Sequence, residues 1–534
     1  MEKMMTSGSE TQTGENGKEI RRTRRIGSFT CGLMLVLYGI LFLVHIIQPK
    51  LNYSIIFELW PLILIFLGVE ILVSCTNKNQ EKGKFVYDFW AVILVFVVAF
   101  FAMIMSVMSY FYGAYDNPYN DAGSGGFETV SGSKDFVAKD VDSITLNNEL
   151  WDIKVMPSND NDIHVSYNGT VWGNNENAVQ FSQVENGITV DIKNMKEYRS
   201  VNSLFYWGPS SYNRVRGEMT LYLPETDSIV LNLDNESGNM SLQGISCKEL
   251  ALGNDYGSVK LENVVCAAAF SYDNDSGDVN IKNVSCDGLT LNNNYGNVKL
   301  EDVACANSFS YVNDSGSIKF TNVTCKGLTL SNNFGSSKFE NVACKSFDFT
   351  NDSGNIQIAN SSCGDFTLSN GYGSLDVDNT SFAGFSLNND SGSVSIKEFS
   401  AKDVRITTEM GNVAMSEGTI EGAKIETDSG SLTFNDVSAE SIDIDSEYGE
   451  VNIKNIDSQT ETSISSDSGN VRIRYKDKPE NLAFDVKSDY GNIKIGLENV
   501  KYDYNLDTDK RGMTGDGLYH TSITTESGGI VLED

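Results

Sequence analysis

The sequence predicts an all-β parallel β-helix with three short strands in each rung of about 19–20 residues, preceded by three transmembrane α-helices. Three observations predict this fold. A turn signature that ends in glycine recurs fifteen times between residues 236 and 528, apolar residues between the turns alternate with polar ones, and three long apolar segments precede residue 113. A fixed period of this size is typical of solenoids, whose units bury their apolar faces only against their neighbours.

The membrane region is predicted at the N-terminus of the chain. Each of its three apolar segments is long enough to cross a hydrocarbon core of about 30 Å. Four arginines in the tail 1–25 and three lysines in the loop 76–88 place both on the cytoplasmic side. We therefore expect a multi-pass membrane protein, in contact with lipid, whose C-terminal ectodomain is extracellular. The predicted spans are 26–47, 55–75 and 89–112, and 113–127 is the linker that follows them.

The repeat after Gly277 illustrates how one rung is built. Three pairs of apolar residues have the spacing of two that is typical of a strand with one buried face. Extra residues between the pairs predict corners, so that stacked rungs form three parallel sheets around a narrow core. Fifteen or more rungs, at about 4.8 Å each, predict a rod on the order of 70 Å long. The pairs in this unit are Val279 and Ile281, Val284 and Cys286, and Leu289 and Leu291.

The regular repeats occupy residues 231–534. Residues 128–230 have strand patterns but a poor period, and we expect them to form the first rungs with longer insertions. Two irregular segments, 198–216 and 497–524, are the places where an active site could lie outside the repeat pattern.

Composition excludes several classes of function. The formal net charge is −32, which opposes binding to nucleic acid because phosphates require Lys and Arg. The chain has only three histidines, which disfavours imidazole catalysis and multi-histidine metal sites. The carboxylates form regular rows in which no pair is singled out for acid–base chemistry. We therefore expect a protein that is not an enzyme and that requires no cofactor.

Two columns of residues are interpreted as structural, and the first is expected to face the interior. Cysteine recurs at one position of seven successive rungs, and we interpret it as a small buried hydrophobe rather than as a source of disulfides. Asparagine recurs just before the turn, where stacked amides can hydrogen-bond from rung to rung. The two columns are Cys247, Cys266, Cys286, Cys305, Cys325, Cys344 and Cys363, and Asn235, Asn254, Asn274, Asn293, Asn313, Asn332, Asn351, Asn370 and Asn389.

The turn signature alternates between a small and a large residue before its glycine, so the large residue recurs on every second rung. Rings at this position would be about 10 Å apart. They could stack on an extended wall glycan, or they could pack over the serines of neighbouring rungs, which is the interpretation that we favour from the sequence. The aromatic column is Tyr256, Tyr295, Phe334, Tyr372, Tyr448 and Tyr490, with Met410 in the remaining position.

An acidic row precedes the aromatic column. From Asp275 to Asp390 its carboxylates alternate with neutral residues, which keeps like charges off adjacent strands. Further on, the residues are acidic on what the sequence order suggests are successive rungs. Such a row could bind Ca²⁺, or it could be a solvated edge that limits association between rods. The continuous part is Glu409, Asp428, Glu447, Asp467 and Asp489.

Two family resemblances follow from these motifs. Residues 26–75, with Trp60-Pro61 before an aliphatic run, resemble the LiaI/LiaF-like transmembrane region of Gram-positive envelope-stress proteins. Repeats such as Asp467-Ser468-Gly469-Asn470-Val471 resemble the bacterial putative-adhesin β-solenoid family, a domain of unknown function, over roughly 140–534. The resemblances imply a non-catalytic adhesion or scaffold protein of the cell envelope, in contact with wall glycan or another envelope protein. The alternatives are a stress regulator that acts on a sensor kinase and a β-helix enzyme that acts on polysaccharide.

Overall fold

The computed structural model describes residues 25–26, 69, 86–87, 127–172, 178–193 and 216–534. Within these residues, no helix has both the length and the hydropathy that crossing a membrane requires. Apart from Ile26 and Val69, the three predicted spans lie outside the described part, as does most of the insertion 198–216. A two-residue parallel pairing joins Arg25–Ile26 to Val86–Tyr87.

The described residues from 127 onwards form a β-solenoid with parallel pairing between rungs, so the predicted parallel β-solenoid is confirmed for them. Equivalent residues of successive rungs lie in register; for example, Leu289 pairs with Phe309 and Leu291 with Tyr311. All three predicted apolar pairs in each regular rung point inward and form one continuous core. Thirteen of the fifteen turn glycines have positive φ and mark about 13 turns, fewer than the fifteen rungs predicted.

The strands are longer than predicted. Most regular rungs contain two strands of about eight residues, and in the second half one strand can span 17 residues. The corner between the first two predicted strands of a rung is a single residue with positive φ, such as Asn283 with φ 51°. The backbone pairing between rungs omits this residue and continues on both sides of it. Asn tolerates this conformation better than most residues do. The strands from the first regular rung onward are Val230–Ser237, Met240–Gln243, Ser246–Cys247, Glu249–Tyr256, Val259–Cys266, Ala269–Ser276, Val279–Cys286, Gly288–Tyr295, Val298–Cys305, Ser308–Ser315, Ile318–Thr324, Gly327–Phe334, Ser337–Ser353, Ile356–Ala359, Ser362–Tyr372, Leu375–Ser391, Val394–Met410, Val413–Ser429, Leu432–Tyr448, Val451–Ile456, Glu461–Ser468 and Val471–Tyr475.

The turn glycines stack directly on one another. A Cβ atom on Gly335 would lie 2.0 Å from the carbonyl oxygen of Gly316, and the other positive-φ glycines from Gly257 to Gly469 are equally crowded. The same glycines adopt φ of 131–154°, which residues with a side chain rarely adopt. Both constraints explain why glycine is present at this position of every regular turn.

Inside each turn lies a column of buried polar side chains that changes character along the rod. From residue 235 to 389 it is an amide ladder, in which each Asn Nδ2 donates to the Oδ1 of the next Asn at 2.7–2.8 Å. Each amide also donates to its own turn glycine, as Asn235 does to the Gly238 carbonyl at 2.7 Å. After Asn389 the ladder is replaced by a hydroxyl column. Its members are Thr408, Thr427, Ser446, Ser466, Thr525 and Ser488.

At the N-terminal end, the spatial order of the rungs differs from their chain order. The rung 143–157 lies between the strands 187–192 and 217–223 on one side and the rung that begins at 230 on the other. Antiparallel strands then cover the end of the solenoid, and Trp151 is buried beneath them. The elements here are strands Phe127–Phe136, Ser143–Asn148, Asp152–Pro157, Ile163–Trp172, Val179–Val184, Gly187–Ile192 and Gly217–Leu223, and the 3-10 helix Ala138–Asp140.

The C-terminal end has a similar arrangement. The last segment of the chain, 519–533, pairs with 461–474 on one side and with 482–496 on the other. An antiparallel hairpin from the predicted insertion 497–524 then covers strand Leu482–Ser488. The terminal segment therefore lies between two rungs that are consecutive in sequence. The strands here are Leu482–Ser488, Ile493–Gly496, Lys501–Asn505, Asp509–Met513, Tyr519–Ser527 and Ile530–Glu533.

Candidate functional site on the turn side of the rod

The candidate site is the turn side of the rod, where the aromatic column is exposed. Its six rings and Met410 are between 56% and 87% exposed, and no ring–ring contact joins two members of the column within the described residues. Each lies in register with a small residue, as Tyr295 does with Ser276 and Ser315. The rings do not fill space in the core, and most of their surface is open to a ligand.

The predicted doubling of the repeat is confirmed up to Tyr448 but fails at the C-terminal end. Ser468 is followed in space by Ser527, and Tyr490 comes after both. Two small residues therefore separate Tyr448 from Tyr490. The regular aromatic spacing ends where the terminal segment enters the sheet.

Amide side chains join the alternating part of the acidic row. Asn294 Nδ2 donates to Asp275 Oδ1 at 2.6 Å, and Asn333 Nδ2 donates to Asp314 Oδ1 at 2.6 Å. Burial, followed by the charges of Asp275 and Asp234, raises the pKa of the Asp255 carboxyl. The neutral residues therefore hold the carboxylates as well as separating them.

The continuous acidic row is not arranged as the sequence order suggested. Glu526 lies between Asp467 and Asp489, because the terminal segment separates their rungs. Across the described residues, no group of three or more His, Cys, Asp or Glu side chains could hold a metal ion. The predicted residues therefore form a line of exposed charges rather than a converging set of ligands.

Sequence reasoning missed a hydroxyl-rich surface beside the aromatic column, which we call the hydroxyl face. It consists of the two outward positions on the strand that leads into each turn, over seven rungs. Its only charged members are Asp273 and Asp348, in a chain with a net charge of −32. The signal was present in the polar residues between the buried apolar pairs. The face comprises Ser271, Asp273, Thr290, Asn292, Ser310, Val312, Thr329, Ser331, Asp348, Thr350, Thr367, Ser369, Ser386 and Asn388.

The turn side thus combines three kinds of group in a regular array. Hydroxyl and amide groups lie about 4.8 Å apart across rungs. Two Asp–Asn pairs join neighbouring rungs nearer the turn, and the exposed rings follow them in the turn. Hydroxyls and amides donate and accept hydrogen bonds, and a ring face provides apolar contact. This chemistry suits a long, uncharged, hydroxyl-bearing polymer.

Two family models match the chain. The model described as Toastrack DUF4097 matches residues 141–308, 305–388 and 363–533. The LiaI-LiaF-like transmembrane region matches residues 29–72, which associates the protein with a membrane. Among curated proteins, none matches the chain.

Solved structures similar to this chain include two bacterial proteins. One is a putative cell adhesion protein from Clostridium sporogenes, with 9% identity and a TM-score of 0.14, covering 76% of this chain and 99% of its own. The other is a putative adhesin from Bacteroides fragilis, with 13% identity and a TM-score of 0.20, covering 61% of this chain and 97% of its own. At these values neither structure contributes to the functional argument.

Proposed function

Because the chain belongs to the Toastrack DUF4097 family and carries a LiaI-LiaF-like transmembrane region, we propose that it is a membrane-anchored scaffold or adhesin of the cell envelope. Its turn side binds an extended, neutral stretch of cell-wall glycan. The protein is not an enzyme, and it acts outside a Gram-positive-type cell with its N-terminus in the cytoplasm.

The exposed aromatic column carries this proposal. Four rings, from Tyr256 to Tyr372, recur on every second rung and lie beside the hydroxyl face. Sugar rings present apolar faces that stack on aromatic side chains, and their hydroxyls pair with Ser, Thr and Asn. A spacing of about 10 Å between rings is on the scale of one disaccharide. The rigid stacking of rungs fixes this spacing before the ligand binds, which reduces the entropy lost on binding.

The experiment is retention of the full-length protein, in detergent micelles, on insoluble wall glycan. The double variant Tyr295→Ser and Tyr372→Ser replaces two rings with the residue that neighbouring rungs already have at this position. Two lost stacking contacts, worth about 1 kcal/mol each, correspond to a roughly 30-fold weaker affinity. Val265→Ser, on another exposed face, is the control and should leave retention unchanged. Equal retention by the double variant and the native protein would overturn the proposal.

Two observations support a protein that is not an enzyme. The carboxylates of the turn side form rows along the rod, and Lys487, which lies beside the row, is paired with Asp489 at 3.2 Å. A polysaccharide lyase or hydrolase needs an acid and a base that converge on one bond. Product analysis after incubation of the protein with a panel of wall glycans tests this point, and the release of any soluble fragment would contradict it.

The LiaI-LiaF-like match at residues 29–72 favours a second function, in which the membrane region acts on a sensor kinase. One experiment distinguishes the two functions. Replacing 29–72 with an unrelated two-span segment should abolish an envelope-stress response if the protein is a regulator, while glycan retention stays intact. A scaffold or adhesin would show no change in either readout, provided that the ectodomain is still displayed.

A further inference from the structure

The second corner of each rung, which precedes the last apolar pair, bears a shallow groove in the second half of the rod. The groove has a volume of about 780 Å³ and crosses successive rungs. Its floor is the inward position that the cysteine column occupies in earlier rungs, since Phe382 pairs in register with Cys363. Ala401, Ile420 and Ala439 continue this floor, and the small side chain of Ala439 leaves it partly open to solvent. We call this depression the corner groove.

One wall of the corner groove is a row of charged residues. Lys402, Glu421 and Glu440 each follow the floor residue of their own rung, so they lie one rung apart. Lys402 Nζ lies 3.9 Å from Glu421 Oε2, so an ammonium group already pairs with this carboxylate. Among the described residues, Glu440 forms no ion pair. No neutral residue separates the two glutamates, and like charges on adjacent strands repel, so a second cation beside Glu440 would stabilise the row.

The C-terminal end of the corner groove adds two carboxylates that are held in position. Asp457 Oδ1 accepts a hydrogen bond from the Gln459 backbone N–H at 3.0 Å, and Glu461 Oε1 accepts one from the His520 backbone N–H at 3.3 Å. Neither carboxylate has a cationic partner within the described part of the chain. Tyr519 lines the same end, and the face of its ring attracts ammonium groups. Four carboxylates and one ammonium group line the corner groove, which gives it a net charge of −3.

We propose that the corner groove binds a linear aliphatic polyamine, which places one ammonium group on each rung and its methylene groups on the apolar floor. The rungs are about 4.8 Å apart. A three-carbon spacer contains four single bonds of about 1.5 Å and separates two ammonium groups by roughly 5 Å. An extended basic peptide matches the rungs less well, because its side chains on one face recur at about 6.6 Å. A hydrated divalent ion makes no use of the apolar floor, and the described residues contain no metal-binding group of three acidic, His or Cys side chains.

The order of groups along the corner groove assigns a place to each ammonium group of a triamine. The first lies between Glu421 and Glu440, and the second lies between Asp457 and Glu461. The third lies beside the ring of Tyr519. These places follow one another along the rod, because the strands that carry them pair in register. The corner groove shares no residue with the hydroxyl face or the aromatic column, so this proposal is independent of the glycan site.

The test is isothermal titration calorimetry with bis(3-aminopropyl)amine, added to the full-length protein in micelles of a non-ionic detergent. Salt at about 0.15 M reduces the Debye length to about 8 Å and screens the distant carboxylates of this acidic chain. We expect saturable binding, which the double variant Glu421→Gln and Glu440→Gln weakens roughly tenfold, about threefold for each exposed ion pair that is lost. The matched control is Glu398→Gln and Glu417→Gln, which removes two exposed glutamates of successive rungs at the other corner and should leave the affinity unchanged.

Two further comparisons separate the corner groove from a general attraction of cations. Ala439→Phe fills the floor with the residue type found at Phe382 and should abolish saturable binding, while circular dichroism checks that the strands are retained. The longer triamine bis(6-aminohexyl)amine carries the same charge with a spacing of roughly 9 Å. It should bind at least about threefold more weakly in spite of its additional methylene groups, because one ion pair is lost. No saturable binding of the short triamine, equal losses in the two double variants, equal or tighter binding of the longer triamine, or tighter binding of a trilysine peptide would overturn the proposal.

Discussion

The two halves of the rod satisfy the polar groups of their turns in different ways. In the amide ladder, each asparagine donates to the next rung and to its own turn glycine. In the hydroxyl column, the side-chain oxygens of Thr427, Ser446 and Ser466 have no hydrogen-bond partner within the described residues. The backbone is nevertheless the same in both halves, with positive-φ glycines and continuous parallel pairing. The difference between the two columns therefore indicates that the glycines and the apolar pairs specify the turn, and that the amide ladder adds stability to it.

The largest loss of stability is expected at the turn glycines, which are common to both halves of the rod. Gly335→Ala and Gly430→Ala each place a Cβ 2.0 Å from a backbone oxygen of the previous rung, at φ of 132° and 144°. Both substitutions should cost on the order of 4 kcal/mol in the local free energy of unfolding. Hydrogen exchange of the affected rungs measures this cost. If only one of the two variants were destabilised, the turn would not be equally rigid in the two halves.

The next largest effect should differ between the two halves, because it concerns the buried polar column. Asn313→Ala removes four hydrogen bonds, which join Asn313 to Asn293, to Asn332, to the Gly316 carbonyl and to the Tyr311 hydroxyl, and it leaves buried polar groups unpaired. We expect a loss of about 3 kcal/mol. Ser446→Ala removes a hydroxyl that is already unpaired, so its effect should stay within about 0.5 kcal/mol. Urea unfolding of both variants provides the comparison, and equal losses would contradict the different roles of the two columns.

A smaller effect concerns the left-handed corner. This residue is Asn or Asp from 263 to 379, but it is Glu398 and Glu417 where the hydroxyl column begins. Because Asn adopts positive φ more readily than Glu, Glu417→Asn should stabilise the rod by about 0.5 kcal/mol. The reverse change, Asn341→Glu, also breaks an amide contact to Asn322 and should destabilise it. Thermal unfolding of the two variants should therefore shift in opposite directions.

The smallest effect concerns the two ends of the rod. At the N-terminal end, His164 contacts Asp135 and Asp160 at 2.8 Å each, and these hydrogen bonds raise the pKa of the imidazole. The backbone N–H of Asp162, followed by His164, lowers the pKa of Asp160 to about 2. The C-terminal end has instead an Arg511–Asp485 ion pair at 2.6 Å, whose cation does not titrate near neutrality.

The sign of the pH dependence follows from these shifts. The contribution of His164 is fully present below pH 6.5, its unperturbed pKa, and is lost as the pH rises through its raised folded value. The contribution of Asp160 is present above about pH 4 and is lost as the pH falls towards 2. An NMR titration of His164 should have a midpoint above 6.5 that decreases in Asp135→Asn. After correction for the intrinsic pH dependence of exchange, the protection of amides in the C-terminal hairpin 501–513 should not change as the pH passes through that midpoint.

Much of the candidate site could be predicted from individual positions of the sequence repeat. The turn glycines and the Asn, Cys and aromatic columns were identified because each recurs at a constant offset, but the exposure of the aromatic rings was not predicted, since packing over the neighbouring serines was favoured from the sequence. The Asp–Asn contacts at Asn294 and Asn333 were not predicted, since alternation shows that charges are separated but not that amides join them. The hydroxyl face was missed because its residues vary among Ser, Thr, Asn and Val.

The sequence by itself determined the period, the buried positions and the glycine turns of this protein, because each depends on contacts between residues one rung apart. Only the tertiary structure decided the order of the rungs at the two ends. Every exposed edge of a parallel solenoid presents the same backbone groups in the same register, so a strand can join either edge. The segment 519–533 could stack on either side of the rung that contains Asp489. Its position depends on how the hairpin 501–513 covers the last rung, and the repeat pattern does not encode that choice.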